Sequence, residues 1–283
     1  NDLPEGLNTD VKLFAEDASL FTVVKNIDDS AHNLNQDLMK ISQWAHQWKM
    51  IFNPDSNKQA QEVIFSHKHN KTVHPPLFFN NHPLVQISKH KHLGMILDNR
   101  LDFKDHIQLM LSKVSRPIAL IRKLHLFLPR SALLTVYKSY IRPHFDYGDI
   151  IYDQAFNNTF HQNLESLQYN AALAITGAIK CSSKQKVYQE LGLESLQERR
   201  WFRRMSVFFK IFRNQSPKYL FQSIPSSNRF YSLRHPNKIP ILWFYHNFYK
   251  NSFLHLQLLN GKSYILKSVE VLNSKILIMF LAV

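Results

Sequence analysis

An α+β fold is predicted for this chain, and a change of hydrophobic period along it is what predicts it. Between Val11 and Leu97, short runs alternate apolar and polar residues and break at Pro, Asn and His clusters, as strands separated by turns do. Beyond Asp98-Asn99-Arg100, apolar residues recur three and four apart, as in helices buried on one face. With 283 residues and 45% hydrophobic content, the chain carries enough apolar surface for a real core, which excludes wholesale disorder.

The first segment reads as a hairpin. Val11, Leu13 and Ala15 alternate with polar neighbours, Glu16-Asp17 forms the tip, and Leu20 to Val24 resumes an apolar strand. Asp28, Asp29 and Ser30 offer N-cap oxygens to a helix whose stripe is Leu34, Leu38, Ile41, Trp44, Ala45 and Trp48, and Asn53-Pro54-Asp55 ends it. Short strands are expected at 62–65, 77–79, 84–87 and 92–97.

The helical half begins with Ile107, Leu111, Val114, Ile118, Ile121 and Leu124 on one face, and Pro117 is expected to kink or split that helix. Pro129 opens the next helix, with Leu133, Val136, Tyr137 and Tyr140 on its apolar side until Pro143 stops it. A helix from about Thr159 to Ile175 carries Leu164, Leu167, Ala171 and Ile175, with Gly177 as its left-handed cap. Ser195 and Glu198 fit a capping box for the helix that follows, and Ser216-Pro217 starts a shorter one. After Pro225 no amphipathic period persists, and no fold is assigned there.

Thirty-five Lys plus Arg against 21 Asp plus Glu leave a net charge of +14, the electrostatic footprint of a polyanion binder, although excess charge also serves solubility alone. Cys181 is the only cysteine, so an internal disulfide and a Cys-based zinc finger are both excluded. His67, His69, His74, His82, His90 and His92 lack the i,i+4 pairing of a helical metal site and read as solvated loop histidines. The apolar run Ile276 to Val283 is far shorter than the roughly 20 residues that cross a bilayer, and no address signal is evident.

Nucleotide addition to a primer 3′-hydroxyl needs two hard cations about 3.5–4 Å apart, held chiefly by carboxylates from different strands. Phe14-Ala15-Glu16-Asp17, set between strands, suits one corner of such a site; by itself an acidic pair on a turn is more often only a solvated turn.

The order of the surrounding blocks adds to this. Leu3-Pro4-Glu5-Gly6-Leu7 followed by Val11 to Leu20 resembles the segment of non-LTR (LINE-type, jockey-like) retrotransposon reverse transcriptases that ends in F-A-D-D. The Trp44-to-Trp48 helix with Phe52-Asn53, Lys58 and Val63-Ile64-Phe65 is similar to the next palm block. His92-Leu93-Gly94-Met95-Ile96-Leu97-Asp98 resembles the Y-L-G block at the primer grip. Tyr137 to Pro143 with Tyr147-Gly148, then Leu164 to Ala174 and Tyr188 to Arg200, continue the likeness to about residue 225.

The resemblance implies the late part of a polymerase palm over residues 1–97, a thumb-like helical region over 98–180, post-thumb helices over 181–225, and a degenerate tail over 226–283. It implies an RNA-directed DNA polymerase fragment using Mg2+ or Mn2+, with Glu16 and Asp17 as catalytic metal ligands and an RNA template and DNA primer as partners, in the nucleus or cytoplasm. The family's first acidic residue is Asp, and here it is Glu16, one methylene longer. The other catalytic Asp and the fingers are expected upstream of Asn1, so the chain by itself is expected to be inactive. A non-catalytic basic nucleic-acid-binding module and a decayed pseudogene product are the alternatives.

Two basic clusters are candidates for phosphate contact: Lys113, Arg116, Arg122 and Lys123, and the ridge Arg199, Arg200, Arg203 and Arg204. The aromatics Trp201, Phe202, Phe208, Phe209 and Phe212 beside that ridge are read as core, and the arginines alternatively as a solvated face. Lys58 and Gly94 join the list through the palm and primer-grip blocks.

Overall fold

A computed structural model of the chain describes residue 3 and residues 5–15, 17–52, 60–66, 74–152, 158–222 and 275–282. It divides into two compact units, one formed by residues 1–101 with 269–283 and the other by residues 102–268. Helices and sheets coexist in one chain, so the α+β class holds.

The first unit is built on a five-stranded sheet. β1 (Asp10–Phe14) and β2 (Asp17–Val24) form the expected hairpin in register Phe14↔Asp17, and α1 (Ile27–Gln47) follows. β3 (Ala60–Phe65) comes next, then the short strands β4 (Phe78–Phe79), β5 (His82–Pro83) and β6 (Val85–Gln86), and a hairpin of β7 (Lys89–His92) and β8 (Met95–Asp98). The sheet order is β1-β2-β9-β3-β6, and its middle strand is β9 (Lys275–Ala282), in the tail to which the sequence assigns no fold. β9 runs antiparallel to both neighbours, with Leu20↔Met279 on one side and Val63↔Ile278 on the other.

One face of this sheet is sealed by α1. Leu34, Leu38, Ile41 and Ala45 are buried in one cluster with Ala18, Leu20 and Val24 of β2 and Ala60 of β3, and Phe52 meets Phe79 edge-on beside them. Most of the predicted stripe is therefore core, but the helix ends at Gln47 and Trp48 is exposed. Its N-cap is Asn26, whose side chain accepts from the N–H of Asp28, so the expected capping residues occupy the first turns instead. Val63 and Phe65 point to the other face, where Ile87, Leu97 and Leu101 pack on them, as the two-residue period of a strand requires.

The second unit is helical. α2 (Lys104–Leu124) buries Ile107, Val114, Ile118 and Ile121 as predicted, and Pro117 does not split it. α3 (Arg130–Val136), a π-helical turn (Tyr137–Ile141) and α4 (Arg142–Asp146) run on without a break, so Pro143 does not stop the helix. A proline lacks the N–H that would bond four residues back, and its ring crowds that carbonyl. The wider π turn relieves the conflict, with the Arg142 N–H donating to Tyr137 O, five residues back.

α5 (Asp149–Tyr152), α6 (Asn158–Thr176), α7 (Lys184–Leu191), α8 (Leu196–Phe212) and α9 (Lys218–Gln222) complete the unit. Gly177 takes φ +72° at the end of α6, and a Cβ there would lie 2.8 Å from the His125 ring, so both conformation and space favour glycine. The Ser195–Glu198 capping box is present. Among the described residues, no helix is long and apolar enough to cross a membrane.

Candidate functional site

The acidic bend is positioned by a residue that the sequence did not single out. Asp37 is fully buried on α1, where its carboxylate accepts the N–H of Asn8 at 2.9 Å, the N–H of Thr9 at 2.8 Å and the Thr9 hydroxyl at 2.8 Å. Those bonds tie the lead-in of β1 to the helix. β1 then turns back after Phe14, with Ala15 in the left-handed region at φ 51°. Asp17 stands at the first position of β2, half-buried, opposite Phe14. Glu16 and Lys58 lie outside the described residues.

His92 is Asp17's electrostatic neighbour. Burial holds the His92 imidazole below the usual histidine range, and the Asp17 carboxylate pulls it back up. The segment expected as one strand over 92–97 instead folds at Leu93 and Gly94, both at positive φ (45° and 82°), into the tight β7–β8 hairpin. Gly94 thus serves a two-residue turn that needs left-handed backbone.

The histidine cluster also departs from a solvated loop. His90, pushed down to about 4 mainly by burial, is half-buried on β7, and its Nδ1 lies 2.9 Å from Gln61 Oε1. His74 is buried 3.4 Å from Glu62, whose carboxyl burial pushes up to about 7. His82 is exposed on β5, while His67 and His69 lie outside the described residues. Among the described residues no three His, Cys, Asp or Glu side chains come together in a group suited to a metal ion.

In the helical unit the two basic clusters have different surroundings. Arg199 grips Asp146 with two bonds of 2.8 and 2.7 Å, a fork geometry peculiar to arginine. Arg203 lies 3.1 Å from Asp149 and 3.3 Å from Asp146, and donates to the Asp146 carbonyl. Arg200 is buried with Nη1 3.0 Å from His161 Nδ1, and burial lowers the half-buried Arg204. Arg199 and Arg203 thereby fasten α8 to the corner between α4 and α5.

Beside them Trp201, Phe202 and Phe209 are exposed, contrary to the expectation that they are core. The arginine ridge is the side of α8 turned into the unit, an inversion that amphipathic spacing leaves open because it defines faces without saying which one is covered.

Lys113, Arg116, Arg122 and Lys123 are all exposed on α2. Lys113, Arg116, Leu120 and Lys123 follow one another at steps of three and four along one side, and after Asp105 the helix contains no acidic residue. Of the two basic clusters, this is the one whose side chains are all exposed.

Fold class and basic face together describe a mixed α+β chain with an accessible cationic helix. Sequence comparison supplies the particular relationship. The chain is homologous to RNA-directed DNA polymerases of non-LTR retrotransposons of Drosophila melanogaster. It is 27% identical over 169 residues to the probable RNA-directed DNA polymerase from transposon X-element, covering 58% of this chain and 18% of that protein. It is 27% identical over 177 residues to the RNA-directed DNA polymerase from mobile element jockey, covering 59% and 18%. It is 25% identical over 191 residues to the probable RNA-directed DNA polymerase from transposon BS, covering 65% and 20%. The matches thus span about a fifth of the length of these curated relatives. No family model and no solved structure matches it.

Proposed function

We propose that this chain is the late palm and thumb part of a retrotransposon RNA-directed DNA polymerase, holding an RNA template and DNA primer through their backbones and inactive by itself. The observation that carries the reading is the exposed, acid-free face of α2 bearing Lys113, Arg116 and Lys123, with Arg122 alongside, in a chain homologous to such polymerases. Backbone contact of this kind gives little sequence preference and a steep dependence on salt.

Glu16 and Asp17 are proposed as the surviving corner of a Mg2+ or Mn2+ site in a larger polymerase, and Lys58 and Gly94 as contacts near the nucleotide and primer. Inactivity of the isolated chain is supported by the added methylene of Glu16, since metal-dependent transfer is sensitive to displacements of about 1 Å. The arginine ridge of α8 is assigned chiefly to folding. Its place of action is proposed as intracellular, in the nucleus or cytoplasm.

Two measurements test this. Retention on an RNA–DNA duplex, followed by fluorescence anisotropy, is expected to weaken with a log–log salt slope of roughly −3 to −4 if four cations are engaged. No binding at low salt would end the proposal. Primer extension with Mg2+ or Mn2+ is expected to stay at background, and robust synthesis would overturn the inactive-fragment reading.

A further inference from the structure

The π turn ahead of Pro143 changes which side chains α3 and α4 bury. An α-helical period would group Tyr140 with Leu133, Val136 and Tyr137, yet the buried residues are Leu133, Tyr137, Ile141 and Phe145, each four after the last. Tyr140 is thereby rotated outward and is 63% exposed. Its ring stands nearly perpendicular to that of His144, with centroids 6.4 Å apart.

Tyr140 does not project into open solvent alone. Together with Ser112, Lys113, Arg116, Pro117 and Leu120 of α2 it lines a groove of about 500 Å³, a size in the range of small-molecule sites. No lining residue is acidic, two are permanent cations, and Leu120 is itself half exposed. The groove therefore joins an aromatic ring and an apolar side chain to a pair of phosphate-binding groups one helical step apart.

We propose that this groove binds an unpaired stretch of nucleic acid, with one base stacked on Tyr140 against Leu120 and the adjoining phosphates held by Lys113 and Arg116. It rests on the nucleic-acid reading of α2 and narrows it. In a duplex each base already lies between its neighbours, so a protruding ring finds no free face, whereas single strands offer one at every nucleotide. Stacking is tolerant of sequence, so the groove prefers strandedness rather than a particular base.

The test compares a fluorescently labelled oligo(dT) single strand with a blunt RNA–DNA duplex, using the full chain and the variants Tyr140→Ala, Tyr140→Phe and Lys113→Gln/Arg116→Gln. Tyr140→Ala is expected to weaken single-strand binding by about tenfold or more, leave duplex binding within twofold, and keep the helical circular dichroism. Tyr140→Phe, which retains the ring, is expected to bind like the parent. Lys113→Gln/Arg116→Gln is expected to weaken both.

Unchanged single-strand affinity in Tyr140→Ala, or an equal loss on both nucleic acids, overturns the stacking site while leaving the backbone reading intact. Absence of binding to either nucleic acid at low salt overturns both. Equal competition by polyglutamate of the same charge would identify a general anion groove and also reject the proposal.

Discussion

In the unit formed by residues 1–101 and 269–283, the middle strand of the main sheet comes from the far end of the chain. In the unit formed by residues 102–268, several helices are fastened to one another by polar side chains. Tyr137 donates to Gln168, Gln168 to the Glu194 carbonyl, Tyr188 to Glu165, and Arg199 to Asp146. One unit is closed by a distant segment and the other by cross-links among nearby helices. A single lesion in β9 therefore threatens the whole sheet, whereas the helical unit distributes its dependence.

The largest expected effect breaks this contrast at its weakest point. Ile278→Pro removes a ladder N–H from a strand paired on both sides, and each ladder group left unpaired costs about 1–3 kcal/mol. Hydrogen exchange is expected to show loss of protection in β2 and β3, with the helical unit still protected. Protection retained in the sheet would mean that β9 is dispensable.

Next comes Asp37→Ala, which strips the partner from Asn8 and Thr9 and is expected to cost on the order of 3–5 kcal/mol in urea unfolding. A cost below about 1 kcal/mol would show that the bend is held some other way.

Glu62 makes the sheet unit sensitive to alkali. With its carboxyl raised from 4.5 to about 7, the folded chain keeps a proton that the unfolded chain has lost between those values. The resulting stabilisation is complete below about pH 4.5 and is lost as pH rises through 7, a change on the order of 3 kcal/mol. The lowered His74 acts at the other end, destabilising the fold as pH falls below 6.5. Glu62→Gln is expected to abolish most of the alkaline loss measured between pH 5 and pH 8.5, and an undiminished loss would place its origin elsewhere.

The smallest effect lies in the helical unit. Asp146→Ala releases the partly exposed Arg199 while Arg203 keeps Asp149 and the Asp146 carbonyl, so solvent screening limits the expected cost to about 2 kcal/mol. A cost matching that of Asp37→Ala would erase the proposed difference between the units.

Helices were the legible part. The stripe of α2, the capping box at Ser195 and the cap at Gly177 are written within one or two turns of sequence, and the structure carries all three. The β1–β2 hairpin was legible for the same reason. Pro143 misled because a proline ends an ideal helix, yet here the backbone widens by one residue and continues. The candidate site was legible only as residue types: spacing grouped Arg199 with Arg203, but Asp146 lies 53 residues before Arg199 and 57 before Arg203, far outside the reach of any local pattern.

By itself the sequence determined the α+β class, the amphipathic faces of the helices, the excess positive charge and the kinship with retrotransposon polymerases, because each is a property of residue order. Tertiary structure alone decided that β9 completes the sheet, that Asp37 anchors the acidic bend and that Tyr140 faces outward. Strand pairing, burial of a carboxylate and rotation of a helical face are settled by whatever partner chain length brings close, and no local pattern encodes that partner.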